Sequence, residues 1–446
     1  MIGFGPRLRI DDRKSFQKLK RVLERRIVDA VDLSKANDLA DDELREEVEA
    51  LASHVCASDS VGLPAEMREP MAREILDEIY GFGPLEPLMR DPEISEILVN
   101  GPDNVSIERD GLLTETEIRF ADDEHLLQLI QRLARRAGNR ITERSPVVEA
   151  RLPDGTVLNA VIRPLAARGP VLSLRRSGAK SLTLEDLVRR DAMALEMAYF
   201  LAAAVRGRLS VLISGATGAG KTTLLAGLAR LIPERERVIT IEETAELELG
   251  RADAVSLETR SSSRPGQLDV TLRELLRTAL RMRPDRLVLS EARGAEMPDF
   301  LRAVGAGHAG SMLTVNAVGT RDALARIELM AAGARSESSP NGLRQQVASA
   351  FQILVHVARL PSGERKVVRI SELCGYFDDS YVIEDIFVYR SAGADDQGHE
   401  LGMFYSTGYE PLCLPQLASL GYTLESDMFT PKELTPAGST REPIEN

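Results

Sequence analysis

The run from Gly215 to Thr222, GATGAGKT, constrains this chain more than any other feature. It fits G-x-x-x-x-G-K-[ST] in full and sits where that pattern has a physical use. An apolar stretch, Leu209 to Ile213, precedes it like a buried strand, and an amphipathic segment, TTLLAGLARLI, follows from Thr222. Glycines let the backbone curl so that successive N–H groups face an anion. The start of the following helix adds about half a positive charge. The expected triphosphate cradle is therefore Gly215, Ala216, Thr217, Gly218, Ala219, Gly220, Lys221, Thr222 and Thr223, with ATP and Mg²⁺ as its ligands. Lys221 is expected to reach the β- and γ-phosphates, and the Thr222 hydroxyl to bind Mg²⁺. The bland alternative is a Gly-rich turn with an incidental lysine, and the strand before and helix after argue against it.

A phosphate cradle does not hydrolyse anything alone; acids must stand near the metal ion and the attacking water. Two places offer them. Glu242-Glu243 follows the apolar run VITI, and Glu291 follows LVLS. In a parallel sheet the C-terminal ends of strands meet the ligand, so both are expected at the nucleotide. A solvated loop acid is the alternative for each.

The chain has 446 residues, enough for two or three domains. Its formal net charge of −13 argues against nucleic acid as the main partner. Cys56, Cys374 and Cys413 show no metal or disulfide spacing and suit a reducing compartment. The opening text, MIGFGPRLRIDDRKSF, has no apolar core of a signal peptide. No run reaches the roughly 18 uncharged apolar residues of a spanning helix; the best, Met197 to Ile213, is broken by Arg206 and Arg208. A cytoplasmic protein without its own membrane span is expected.

Residues 11 to about 60 have helical spacing, with DDELREEVEALASHV from Asp41 opening on acids. A helix through Glu74 to Tyr80 runs into the turn GFGPLEPL. ISEILVNG and LLTETEIRF then alternate as strands, with a hairpin signal at Asp110-Gly111. EHLLQLIQRLARRAG is an amphipathic helix whose arginines read as a solvated face, or else as a contact with a neighbouring subunit. RLPDGTVLNAVI is a hairpin around Asp154-Gly155. After the polar stretch 177–181, Thr183 and Asp186 form a capping-box pair. Strands and helices then alternate, which implies a mostly parallel sheet covered on both faces. No element is assigned from about Ser391 onward.

Several long segments, in order, resemble the secretion ATPase superfamily of type II and type IV secretion and type IV pili (GspE/PilT-like), and within it the Tad/Flp pilus branch (CpaF/TadA-like). They are EILDEIYGFGPLEPLMRDPEISEILVNGPDNVSIERDG, ARLPDGTVLNAVI, VITIEETAELEL, LRTALRMRPDRLVLSEARGAE, GHAGSMLTVNA and QQVASAFQILVHVARLPSGERKV, together with the Gly-rich loop. The resemblance spans about residues 70 to 390. It implies an α/β fold: a RecA-like ATPase domain (181–390) after an α+β, PAS-like domain (65–180). A helical appendage (1–64) precedes them and a C-terminal extension (391–446) follows. It implies a hexamer that docks peripherally at the inner face of the cytoplasmic membrane and passes motion to inner-membrane platform proteins.

By the same resemblance, Lys221 and Thr222 match the Walker A pair. Glu242 matches the acid that polarises water, and Glu291 the Walker B acid beside Mg²⁺. His308 matches the first histidine of the His box. Arg151, Arg175 and Arg176 are candidates to close over the γ-phosphate, or else charges on a sheet face. Arg277, Arg281 and Arg283 also match family positions and could equally hold subunit interfaces. Three residues depart from the pattern: Glu243 stands for an Asp, Ser290 for a Gly, and Asn316 for the second histidine. Asn316 can donate but cannot titrate near neutrality. An active ATPase and a nucleotide-binding subunit with little hydrolysis are both left open by it. A nucleic-acid motor and a small-molecule kinase are the readings from other classes.

Overall fold

The computed structural model describes residues 23, 41–57, 65–109, 112–176, 182–260, 269–333, 339–394 and 400–434. The helical spacing read before residue 41 (Leu23 apart), the Asp110-Gly111 turn and the 177–181 stretch lie outside the described residues. The chain divides into two compact units, Met1–Ala179 and Lys180–Asn446.

In the first unit, helices α1 (Asp41–Ala57) and α2 (Ala65–Ile79) share a small core of Ala52, Cys56, Met71, Ala72 and Ile75. The Gly/Pro turn becomes a 3₁₀ turn, Gly83–Leu85, and a short helix α3 (Glu86–Arg90). Six strands follow: β1 (Ile94–Asn100), β2 (Val105–Arg109), β3 (Leu112–Glu115), β4 (Val147–Arg151), β5 (Val157–Val161) and β6 (Val171–Arg175). They form an antiparallel sheet in the order β3-β2-β1-β6-β5-β4.

Helix α4 (Asp123–Arg136) buries Leu126, Leu129, Ile130, Leu133 and Ala134, the i, i+3, i+4, i+7, i+8 stripe of a one-sided helix. Asp122 caps it by accepting from the His125 N–H. Its arginines are not simply a solvated face. Arg132 donates to the Gly81 carbonyl at 3.1 Å and Arg136 to the Tyr80 carbonyl at 2.7 Å, so they cover carbonyls just past the end of α2.

The second unit is built on a ten-stranded sheet. Six strands are mutually parallel, in the order β9-β8-β10-β11-β7-β12: β7 (Val211–Gly215), β8 (Val238–Glu242), β9 (Val255–Glu258), β10 (Arg286–Leu289), β11 (Met312–Asn316) and β12 (Ile353–Arg359). β7, β8 and β10 are buried along their whole length, as strands covered on both faces must be. One core packs helices α5 (Leu184–Arg189), α6 (Leu195–Arg206) and α7 (Lys221–Ala229) against the sheet. The other packs α8 (Leu272–Leu280), α9 (Met297–Gly305), α10 (Thr320–Gly333) and α11 (Pro340–Ala350). Thr183 and Asp186 form the expected reciprocal cap on α5, and Thr271 and Glu274 form another on α8. With strands alternating with helices on both faces, the unit is the α/β fold the pattern implied, of the RecA-like kind that the resemblance implied.

Antiparallel strands continue the same sheet beyond β12 and carry it into the region from about Ser391 that the sequence left without elements. β13 (Arg365–Phe377) turns back antiparallel on β12, and β14 (Ser380–Ala394) pairs with it through Asp378-Asp379, both at positive φ as a two-residue hairpin turn requires. β15 (Glu400–Ser406) and β16 (Lys432–Leu434) extend the edge. Helix α12 (Leu414–Ser419) packs Leu417 onto Gly207 at the end of α6, where an added Cβ would lie 2.2 Å from a Leu417 methyl. Buried Glu372 on β13 accepts from the Tyr409 hydroxyl and from the N–H groups of Leu412 and Cys413, at 2.8, 2.7 and 2.8 Å.

Candidate functional site

The parallel strands end together on one edge of the second unit's sheet. β7 is level with β11 there, Gly215 opposite Asn316, and the Ala317 N–H donates to the Gly215 carbonyl at 3.2 Å. The chain leaves β7 through a loop that only glycine permits at two points, Gly218 at φ +77° and Gly220 at φ +97°. An added Cβ at Gly218 meets nothing within 4 Å, so the loop's outer face stands open. Gly215 is glycine for another reason: a Cβ there would lie 2.5 Å from the Val357 carbonyl oxygen. Helix α7 begins at Lys221 with no side-chain cap on its first turn. Its first N–H groups have no partner within the helix, which leaves an anion-binding terminus.

Lys221 is buried, and its ammonium donates to the Ala216 carbonyl at 2.9 Å and to Asn316 Oδ1 at 2.5 Å. Burial holds its pKa below the ordinary lysine value, while the Glu291 charge pushes the other way. Asn316 Nδ2 donates to Glu291 Oε1 at 2.6 Å. Arg293 joins Glu291 at 3.4 Å and Glu243 at 2.9 Å. A continuous chain of polar contacts thus runs from Lys221 through Asn316, Glu291 and Arg293 to Glu243. Among the described residues, no three His, Cys, Asp or Glu side chains cluster as a protein-only metal site. A hydroxyl (Thr222) and one carboxylate (Glu291) are hard oxygen donors of the kind Mg²⁺ takes alongside phosphate oxygens.

The other expected residues fare differently. Glu242 does end β8 at this edge, but its side chain is fully buried. Its Oε2 accepts from the N–H groups of Glu246 and Leu247 at 2.8 and 3.0 Å, and its Oε1 from the Thr240 hydroxyl at 3.2 Å. Burial raises its pKa in spite of these donors. In this conformation the carboxylate clamps the loop after β8, and water does not reach it.

His308 is not brought to the loop. It precedes β11, and its Nδ1 lies 2.9 Å from the Pro284 carbonyl just before β10. The length of β11, about 13 Å at 3.3 Å per residue, separates that end of the strand from Asn316. In the first unit, Arg151 and Arg175 both pair across from Val157 and so share one sheet face. Arg176 turns to the Asp91 carbonyl instead.

Two contributors lie in the segment QQVASAFQILVHVARLPSGERKV, where the sequence reading gave neither a role. Arg365 on β13 donates to the Gly218 carbonyl at 2.9 Å, bracing the loop from a strand nearly 150 residues away in sequence. His356 on β12 lies 2.9 Å from the Ser214 hydroxyl, with its pKa held below the usual value by burial first and by Arg369 second.

Residues 78–397 match the model of the family described as type II/IV secretion system protein. The chain belongs to that family. A putative conjugal transfer protein of Mycobacterium tuberculosis is 39% identical over 307 residues, covering 68% of this chain and 87% of the relative. The type IV secretion system protein VirB11 of Brucella suis is 32% identical over 276 residues, covering 56% of this chain and 76% of the relative. Among solved structures, the VirB11 ATPase of Brucella suis is 29% identical, covering 65% of this chain and 95% of that one, with a TM-score of 0.35. The Legionella pneumophila ATPase DotB is 19% identical, covering 68% and 82%, with a TM-score of 0.46. Family membership therefore rests on sequence.

Proposed function

We propose that this member of the type II/IV secretion family hydrolyses ATP with Mg²⁺, as a hexameric motor of a Tad-type pilus or a Tad-like secretion apparatus. One observation carries the ATPase reading: Lys221, at the head of an uncapped helix after a Gly-bent loop, is joined through Asn316 to Glu291 on the edge where the parallel strands end. Membership of the type II/IV secretion family, shared with a relative named VirB11, supports the same chemistry. The backbone amides of Gly215–Thr223 cradle the phosphates, and Lys221 balances charge on the β- and γ-phosphoryl oxygens. Glu291 and the Thr222 hydroxyl hold Mg²⁺, which when bound neutralises charge between the β- and γ-phosphates. Glu242, at the end of β8, serves the attacking water only in a state in which the loop it clamps has opened, and Glu243 stands beside it. Arg151, Arg175 and Arg176 supply positive charge from the first unit.

No described helix is long and apolar enough to cross a membrane. The membrane anchor in this reading belongs to inner-membrane platform proteins, and the chain works peripherally on their cytoplasmic side. The residues divide as an appendage (1–64), an α+β domain (65–180), an ATPase domain (181–390) and an extension (391–446).

The test is Mg²⁺-dependent phosphate release by the purified chain, with its mass measured by light scattering. Turnover that Lys221→Ala abolishes, from a particle of six chains, is expected. A second reading, a nucleotide-binding subunit with little hydrolysis, is favoured by Asn316 in place of a histidine. Tight ATP binding with turnover no faster than Lys221→Ala selects it.

A further inference from the structure

We propose that Asn316 is a positioning residue whose side-chain amide yokes Lys221 to Glu291. This deepens the ATPase reading and rests on it. The amide accepts from the Lys221 ammonium at 2.5 Å and donates to Glu291 Oε1 at 2.6 Å. Its orientation follows from its partners, since an ammonium only donates and an ionised carboxylate only accepts. A flipped amide would set donor against donor and acceptor against acceptor.

The backbone gives the bridge a fixed base. Asn316 is the last residue of β11, level with Gly215, and the next N–H holds the Gly215 carbonyl. Any movement of the loop is therefore felt at the amide, and through it at the acid. A neutral linker also leaves Lys221 and Glu291 coupled without collapsing them onto each other. The ammonium stays directed to the loop and the carboxylate to a cation.

The residue type matters because of what surrounds it. Lys221 faces the amide from α7, and Glu291 from the segment after β10. Arg293 and Glu243 stand one contact further on. Across β7, His356 is engaged with Ser214, and Arg365 with the Gly218 carbonyl. A side chain here must accept from one partner and donate to the other, which an amide does with no net charge of its own.

The experiment uses the full chain with Asn316→Ala and Asn316→Asp. In nucleotide-free protein, acetylation of Lys221 by an amine-reactive reagent, read by mass spectrometry, should rise severalfold in Asn316→Ala, because the amide no longer holds the ammonium. With Mg-ATP, that variant should lose about tenfold or more in kcat with little change in KM, as befits a group that positions the reacting centre. Asn316→Asp keeps an acceptor for the ammonium but sets a carboxylate against Glu291, so it should hold Lys221 labelling near the parent's and still lose kcat. In Asn316→Ala, unchanged Lys221 labelling, or turnover within about twofold of the parent, overturns the proposal. So does parent-like turnover in Asn316→Asp. A parent no faster than Lys221→Ala overturns the ATPase reading instead, and the labelling then judges the bridge by itself.

Discussion

Replacing Glu242 with alanine should free the loop that follows β8. Its Oε2 is the acceptor for the N–H groups of Glu246 and Leu247, and its Oε1 takes the Thr240 hydroxyl. Glu242→Ala strands all three donors. A buried N–H without a partner costs about 1–3 kcal/mol. The Leu247 N–H is buried and bears that cost in full, whereas the Glu246 N–H is partly exposed and recovers some of it from water. Relief of the carboxylate's own burial offsets part of the sum. A net loss of about 2 kcal/mol follows.

Glu242→Gln keeps an oxygen for the two N–H groups, and its amide nitrogen can donate to Thr240, whose hydroxyl turns to accept. It should cost no more than about 0.5 kcal/mol. The sign with pH is set by the raised pKa. The folded state favours the neutral carboxyl, so this contribution is complete below the unfolded value of about 4.3 and is lost as pH rises through the higher folded value. The parent's loop should therefore be less protected at pH 7.5 than at pH 5, and that of Glu242→Gln should not follow pH in this way.

Because the chain has two compact units, a single unfolding transition is a poor readout. Hydrogen exchange of a peptide spanning 243–249, corrected for intrinsic rates, reads the clamp directly. A loss of 2 kcal/mol is about thirtyfold faster exchange at the Glu246 and Leu247 amides. Parent-like protection in Glu242→Ala, or equal loss in both variants, would refute the clamp.

Gly215→Ala should abolish nucleotide binding or unfold the loop's base, since its methyl would meet the Val357 backbone oxygen at 2.5 Å and a Val357 methyl at 2.8 Å, with little freedom to yield; fluorescent-nucleotide titration and limited proteolysis check this. Glu372→Ala should release the segment 409–413 from β13 at a cost of about 2–4 kcal/mol, because two N–H groups and a hydroxyl lose their acceptor together; exchange of that segment rising to the level of an exposed loop is the expected outcome.

The phosphate loop was legible in the sequence because it is local. Nine consecutive residues supply the bends, the amides and the lysine, and a strand and a helix on either side hold them. The alternation of apolar runs with helical patterns likewise announced a parallel sheet. The stripe Leu126–Ala134 and the two capping boxes depend only on spacing along one helix. The end of the chain was illegible for the opposite reason. β15 and β16 are short, partly exposed strands whose identity comes from pairing, β15 with β14 and β16 with β15, not from their own periodicity.

Side-chain roles at the site divide along the same line. Sequence placed Glu242 and Glu291 at strand ends and Lys221 in the loop, and marked Asn316 as a departure, but could not say which touch. The register of β11 beside β7 set Asn316 against Lys221 and gave the unexpected amide two partners. The same parallel register put His308 at the far ends of the strands, and the loop folding back over Glu242 turned an expected reacting group into a buried clamp. Arg365 reached the loop only because β13 returns antiparallel along β12. By itself, then, the sequence determined the Gly-bent loop with its lysine and the class of fold, which are written in contiguous residues. Tertiary structure decided which side chains serve the cradle, because strand order and register join residues that the chain keeps far apart.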